Sequence, residues 1–196
     1  MASRRAEVTR TTKETDIRLS FGVDGEGGFE GGTGVGFLDH MLELLARHGL
    51  FDIDVQAKGD RRVDDHHTVE DVGICMGQAL NKALGERRGI RRYGDASVPM
   101  EDALCQVSVD LGGRGGLVFR ATFPDEKVGT FDTALVNEFL QAVAANAGMN
   151  LHINVPYGGN AHHIAEAIFK ALARALDDAT TIDPRRKDIP STKGTL

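Results

Sequence analysis

Apolar and polar positions along this 196-residue chain alternate between two periods, and the same succession of periods is read twice. Alternation with a period near two predicts a strand around Asp16–Val23, followed by a Gly-rich turn over Gly25–Gly36. A period near 3.6 then predicts a helix at about Phe37–His48. A strand at Phe51–Ala57 and a second helix from about Thr68 to Leu84 follow, with Gly85 suited to end the helix. The second half predicts strands near Leu104–Leu111 and Leu117–Phe123, joined by the turn GGRGG (Gly112–Gly116). After them come a helix at about Thr133–Ala147, a strand at Leu151–Val155 and a helix from about Ala161 to Asp177. The polar stretch Asp183–Leu196, with two prolines, reads as an irregular tail.

The recurrence extends to individual residues. His66, His67 and Glu70 return 96 positions later as His162, His163 and Glu166. The apolar face of the first helix, Val69, Val72, Met76, Ala79 and Leu80, maps at the same spacing onto Ala165, Ile168, Leu172, Ala175 and Leu176. The preceding helices align as DHMLELLARHG against NEFLQAVAANA, which sets His40 opposite Glu138. This predicts an α+β fold built from two copies of a βαβα-type unit, with helices covering a sheet. The copies would span about 1–90 and 91–182 of one pseudo-symmetric domain covering 1–196, with 183–196 as its tail.

Composition narrows the functional classes. A hydrophobic fraction of 41% with 27% charged residues describes a globular chain that can bury a real core. The net charge of −6 disfavours nucleic acid as a partner but leaves room for a small anion held by a few local cations. No apolar run approaches the roughly 20 residues that span a bilayer, so no membrane is expected. The opening MASRRAEVTR has no apolar segment of the signal-peptide kind. Cys75 and Cys105 lack CxxC spacing and lie in apolar segments, which suits reduced thiols in the cytoplasm.

The histidines carry the chemistry. On a helix, residues i and i+4 share a face, so His66 can converge with Glu70 and His162 with Glu166. Neighbours differ by about 100°, so His67 and His163 must face other sites. A packing role for these histidines would have to account for the same HHxxE triplet twice, at matching places. Imidazoles and carboxylates without a thiolate suit a first-row divalent ion such as Mn, Fe, Co or Zn. His40 and Glu138 are natural additional ligands, and His48, two turns beyond His40, can line the site. His152, on a strand, is the weakest candidate.

Other stretches are ambiguous alone. RRGIRRYG (Arg87–Gly94) reads as a solvated basic loop, Arg114 as a hairpin tip, and PSTKG (Pro190–Gly194) as a tail that could wrap a phosphate. GEGGFEGGTGVG is not a P-loop, because no Gly-Lys-Ser/Thr follows. Glu14 is one carboxylate before the first strand.

Together, FLDHMLELLARHGLFD, DDHHTVEDVGI, GIRRYG, NAHHIAEAIFKALARAL and PSTKG resemble the imidazoleglycerol-phosphate dehydratase family of histidine biosynthesis, in order and over nearly the whole chain. The resemblance implies a duplicated fold akin to the second domain of ribosomal protein S5. It implies two manganese ions per active site, sites built between subunits, and a homo-oligomer in which trimers assemble to a 24-mer. One metal would draw on His40, His66, Glu70 and one member of the His162/His163 pair. The other would draw on His67, Glu138, the remaining member and Glu166. Arg92, Arg114, Lys170, Ser191, Thr192 and Lys193 would hold the substrate phosphate and diol, with Arg91 a surface neighbour. Glu14, His48 and the metal-binding His40, His66, His67, Glu70, His162, His163 and Glu166 complete the substrate-facing set.

The implied reaction converts D-erythro-imidazoleglycerol phosphate to imidazole acetol phosphate and water. Its C–H bond has no adjacent carbonyl, so the substrate's own ring, held as a metal-bound imidazolate, must expel hydroxide first. A carboxylate then removes the proton from the neighbouring carbon, and the enol becomes the ketone. Glu14 is the expected base, with Glu70 and Glu166 as the alternative catalytic carboxylates. A dinuclear hydrolase or a metal-storage shell would also use His and carboxylate pairs, but storage gives Glu14, Arg92, Arg114 and the Ser-Thr-Lys tail nothing to do.

Overall fold

A computed structural model describes residues 4–196; the first three residues of the first predicted copy lie outside it. Two four-stranded sheets form the frame. The first has the order β1 (Arg5–Thr11), β2 (Thr15–Gly22), β4 (Asp52–Gly59), β3 (Phe29–Gly32), with β3 parallel to β4 and the other pairs antiparallel. The second has the order β5 (Tyr93–Met100), β6 (Ala103–Asp110), β10 (Asn150–Tyr157), β7 (Gly116–Arg120), again with only the last pair parallel.

The ladders agree residue by residue. Arg5 faces Gly22 and Tyr93 faces Asp110, each member displaced by 88 positions. Phe29 faces Ile53 and Leu117 faces Leu151, displaced by 88 and 98. The offset therefore grows by ten residues between the third strand and the following helix. The hairpin of β8 (Lys127–Val128) and β9 (Phe131–Asp132) lies in that insertion.

Four helices cover the sheets: α1 (Gly36–Gly49), α2 (His66–Leu84), α3 (Ala134–Ala147) and α4 (Ala161–Thr180). α2 lies on β1 and β2, α4 on β5 and β6, and the helices then pack across the repeats, α2 on α3 and α1 on α4. All ten residues of the two matched apolar faces, from Val69 to Leu176, are completely buried. α2 approaches α3 closely because Gly73 and Gly77 lack side chains: a Cβ at Gly73 would stand 2.8 Å from the Phe139 carbonyl oxygen, and one at Gly77 2.6 Å from that of Val143. At the position equivalent to Gly73, α4 carries Phe169, whose ring stacks on Phe139 at 5.6 Å between centroids. This cross-packing brings residues of α1 to the start of α4.

The structure corrects four expectations. Strands β1 and β5 have no counterpart in the sequence reading: both are edge strands with shallow alternation, and only Val8 of β1 is buried. β3 lies inside the stretch read as a Gly-rich turn. GGRGG does not close a hairpin, because β10 lies between β6 and β7. The turn instead crosses the end of α3, so closely that a Cβ at Gly115 would stand 2.5 Å from Ala145 Cα. Finally, α2 begins at His66 rather than Thr68, which puts both histidines in its first turn. Among the described residues, no helix is long and apolar enough to cross a membrane.

Candidate metal and substrate site

The second HHxxE copy opens α4. The Asn160 side chain caps the helix by accepting from the backbone N–H groups of His162 (2.8 Å) and His163 (3.3 Å). One turn on, the Glu166 carboxylate meets His162 Nε2 at 3.0 Å through Oε1 and Lys170 Nζ at 2.7 Å through Oε2. Because α1 packs on α4, His40 Nε2 arrives from the other repeat, 2.9 Å from the same Oε1. His40, His162 and Glu166 thus offer three donor atoms within 4.8 Å of one another. Burial pushes the Glu166 carboxyl up, but Lys170, His40 and His162 outweigh it and bring it down to about 2. Two imidazoles and an ionised carboxylate without sulfur fit a borderline divalent cation. His48 is half-buried beside this group; burial, then the nearby Lys170 and Arg174, lower its pKa and favour the neutral ring.

The first copy is more open. His66 Nε2 lies 3.7 Å from Glu70, too far for a hydrogen bond. His67 faces away, its ring at 83° to that of His66, as a helical start requires of neighbours. Its Nδ1 is 3.1 and 3.2 Å from the two Asp60 oxygens and 3.8 Å from Glu14. The Asp60 hydrogen bond raises the His67 pKa, with Glu14 adding to the effect. Asp71, near the start of α2, accepts from Arg10 Nε (2.8 Å) and Thr15 Oγ1 (2.5 Å) and so ties the β1–β2 turn that carries Glu14 to the helix that carries His67. Glu138, half-buried on α3, stands apart: among the described residues only His40, His162 and Glu166 gather as a potential metal-binding triad. His40 and Glu166, which the sequence resemblance divides between two ions, are therefore direct neighbours within one chain. His152 points from the open face of β10, away from these groups.

The cationic residues gather elsewhere. A cleft of about 840 Å³ is lined by Arg92, Arg114, Ser191, Thr192 and Lys193, which joins the GGRGG turn to the tail. Within it, Arg92 is already committed: its guanidinium forks onto Asp110 at 2.7 and 3.2 Å and donates to the Pro190 carbonyl at 2.8 Å. Lys170 is not part of this cleft but pairs with Glu166. Arg91 is exposed and pairs with Asp178. The reading of RRGIRRYG as a solvated loop fails at Arg87, which is buried and donates to the carbonyls of Leu111, Ala147 and Gly148, closing the end of α3.

Sequence reasoning missed Asp60, Asp71, Asp102, Asp110 and Arg87. Asp102 had a signal: it falls 88 positions after Glu14, the strand offset of the two repeats. In the structure its Oδ1 lies 2.6 Å from His163 Nδ1, and its Oδ2 accepts from the Gly159 N–H at 2.7 Å. The His163 hydrogen bond, then that of Gly159, holds the Asp102 carboxyl below its usual range.

The chain resembles known proteins over nearly its whole length. A family profile described as imidazoleglycerol-phosphate dehydratase matches residues 33–176. Proteins of that name from Geobacillus sp. (strain WCH70) and Bacillus subtilis (strain 168) are 62% and 60% identical to the chain; each alignment covers 98% of this chain and 99% and 100% of the relative. The crystal structure of imidazoleglycerol-phosphate dehydratase from Staphylococcus aureus superposes with a TM-score of 0.83 at 42% identity, over 91% of this chain and 99% of that one. The structure of IGPD from Pyrococcus furiosus gives 0.82 at 38% identity, over 96% and 100%.

Proposed function

The chain belongs to the imidazoleglycerol-phosphate dehydratase family, hydro-lyases of histidine biosynthesis, and from that premise we propose how its residues divide the reaction. The substrate is D-erythro-imidazoleglycerol phosphate, the products imidazole acetol phosphate and water. The observation that carries the reading is the convergence of His40 Nε2, His162 Nε2 and the ionised Glu166 within 4.8 Å, across two repeats of one chain.

We assign two Mn2+ ions per site to His40, His66, His67, Glu70, Glu138, His162, His163 and Glu166. When bound, they would supply Lewis acidity to the substrate's ring nitrogens and favour the metal-bound imidazolate form of the ring. Glu14 is assigned the proton of the carbon next to the one that loses hydroxide; its carboxylate, 3.8 Å from His67, is held near the histidines by the Asp71 tie. Glu70 and Glu166 are the alternative acceptors. Lys170 stays with Glu166 and keeps it ionised, while neutral His48 lines the pocket.

Arg114, Ser191, Thr192 and Lys193 are assigned to the phosphate, and Arg92 to shaping their cleft through Asp110 and the tail. Phosphate binding far from the reacting bond lets its energy orient the diol. Among the described residues the metal-ligand cluster and this cleft share no lining residue, and no third donor joins the first HHxxE copy. We therefore propose that copies of the chain complete each other's sites, as trimers assembling to a 24-mer. The buried, unbridged Cys75 and Cys105, their thiols pushed up by burial to about 11 and about 12, fit work in the cytoplasm.

Turnover of imidazoleglycerol phosphate by metal-stripped protein, with and without added Mn2+, tests the reading. Product formed only with Mn2+ is the expected result. Equal turnover in both would remove the ions from the reaction, and none with folded, Mn2+-loaded protein would remove the reaction itself.

A further inference from the structure

The second histidine of each HHxxE copy is gripped at Nδ1 by a carboxylate from outside its helix. His163 Nδ1 is 2.6 Å from Asp102, on the turn between β5 and β6; His67 Nδ1 is 3.1 Å from Asp60, in the loop after β4. The two acids do not occupy equivalent places. The register of the sheets makes Asp102 the counterpart of Glu14: Thr11 pairs with Asp16 in the first hairpin and Pro99 with Leu104 in the second. One turn position thus carries Glu in one repeat and Asp in the other, each aimed at the second histidine of its own repeat.

Their engagement differs. Asp102 spends one oxygen on His163 and the other on the N–H of Gly159, which immediately precedes the cap of α4. A Cβ at Gly159 would stand 2.9 Å from the Asp102 carboxylate, so the loop is fitted around it. Glu14 makes no hydrogen bond to His67, whose Nδ1 is taken by both oxygens of Asp60 instead. A ring whose Nδ1–H donates to a carboxylate can offer only Nε2 to a cation, in a fixed direction and with raised basicity.

We infer that Asp102 and Asp60 are positioning residues that hold His163 and His67 by Nδ1 and so present Nε2 as the metal-binding atom. Asp60 has taken over in the first repeat the task that the turn acid performs in the second, which leaves Glu14 at that turn free to face substrate. This rests on the proposed role of His67 and His163 as metal ligands.

The test is a cycle of Mn2+ dissociation constants on the full-length protein, by titration without substrate: wild type, Asp102→Ala, His163→Ala and the double variant. Asp102→Asn, which retains an acceptor for the Gly159 N–H, serves if the alanine variant unfolds. Loss of the carboxylate is expected to weaken Mn2+ binding at the affected site by about 10–100-fold. It is expected to have no further effect once His163 is alanine, because Asp102 acts only through that ring. Asp60→Asn is expected to behave in the same way toward His67→Ala. Unchanged affinity in Asp102→Ala, or an equal loss with and without His163, overturns the positioning role and leaves the metal site standing. If His163→Ala itself leaves Mn2+ affinity unchanged, the ligand assignment falls and the positioning role with it.

Discussion

Two helices of this protein begin with the same five-residue pattern and meet different surroundings. In α4 the carboxylate of the triplet, Glu166, is 8% exposed and has three partners, His40, His162 and Lys170. In α2 the carboxylate, Glu70, has a side chain 47% exposed and a single histidine at 3.7 Å. The residues around them account for the difference. The place of Lys170 is held in the first repeat by Ile74, and that of His40 by Glu138. One copy therefore closes on itself around a lysine, while the other carries an apolar residue where the lysine would be and leaves its carboxylate open. The same pattern is thus closed in one helix and open in the other, and the exposed His66 and Glu70 are the pair that a ligand from outside the chain would engage in the proposed reading.

The sharpest way to press this comparison is at the turn acids. Glu14→Gln removes a base but, in this reading, no metal ligand. It is expected to lower kcat by about 10²–10⁴-fold, the usual contribution of general base catalysis, with Mn2+ affinity unchanged. A Glu14→Gln variant with full turnover would hand the proton to Glu70 or Glu166. A variant that loses Mn2+ would show that the two turn acids share a role after all.

Next in size is the cation of the closed copy. Lys170→Ile makes α4 resemble α2 and leaves the buried Glu166 with its histidines alone. Losing a charged hydrogen bond at a site this enclosed is expected to destabilise the metal-free protein by about 1–3 kcal/mol in denaturant unfolding. Added Mn2+ should restore much of that, since a divalent ion compensates the same charge. A variant as stable as the parent without metal would mean the histidines alone suffice, and the contrast between the copies would lose its electrostatic basis.

The parts of this molecule legible from sequence are those where one period dominates. The buried faces of α2 and α4 repeat apolar residues every three or four positions, and every one of them is in the core. His162 and Glu166 were equally legible, because helical spacing and the 96-residue echo both point to them, and His40 stood out by its place opposite Glu138, 98 positions on. Edge strands β1 and β5 were not, since solvent on one side and a missing neighbour weaken alternation; Pro99 is tolerated in β5 for the same reason. GGRGG looked like a hairpin because local chemistry fits one, yet strand pairing is decided by topology, and β10 takes the place beside β6. Asp60 sits in a loop, where nothing periodic marks it, and Asp102 is marked only by the 88-residue offset of two hairpins whose edge strands went unread. Arg87 hides in a basic run whose neighbours are solvated, and only the carbonyls at the end of α3 reveal its burial.

The smallest expected difference concerns how each helix starts. Asn160 caps α4 with its side chain on two N–H groups of the first turn, whereas Asp65, the residue just before α2, makes no cap and pairs instead with Arg61 at 3.0 Å. Asp64, the counterpart of Asn160 96 positions earlier, accepts from the His66 N–H alone, at 2.8 Å. Asn160→Ala should therefore cost about 1 kcal/mol in thermal or denaturant unfolding, the typical cost of losing an N-cap. Asp65→Ala should fall within about 0.5 kcal/mol of the parent, as exposed ion pairs do. Equal losses would mean that Asp65 supports α2 through something other than its surface pair. The predicted order would instead locate the better-fixed histidine pair at α4, where the chain has already brought His40 and Glu166 into contact with it.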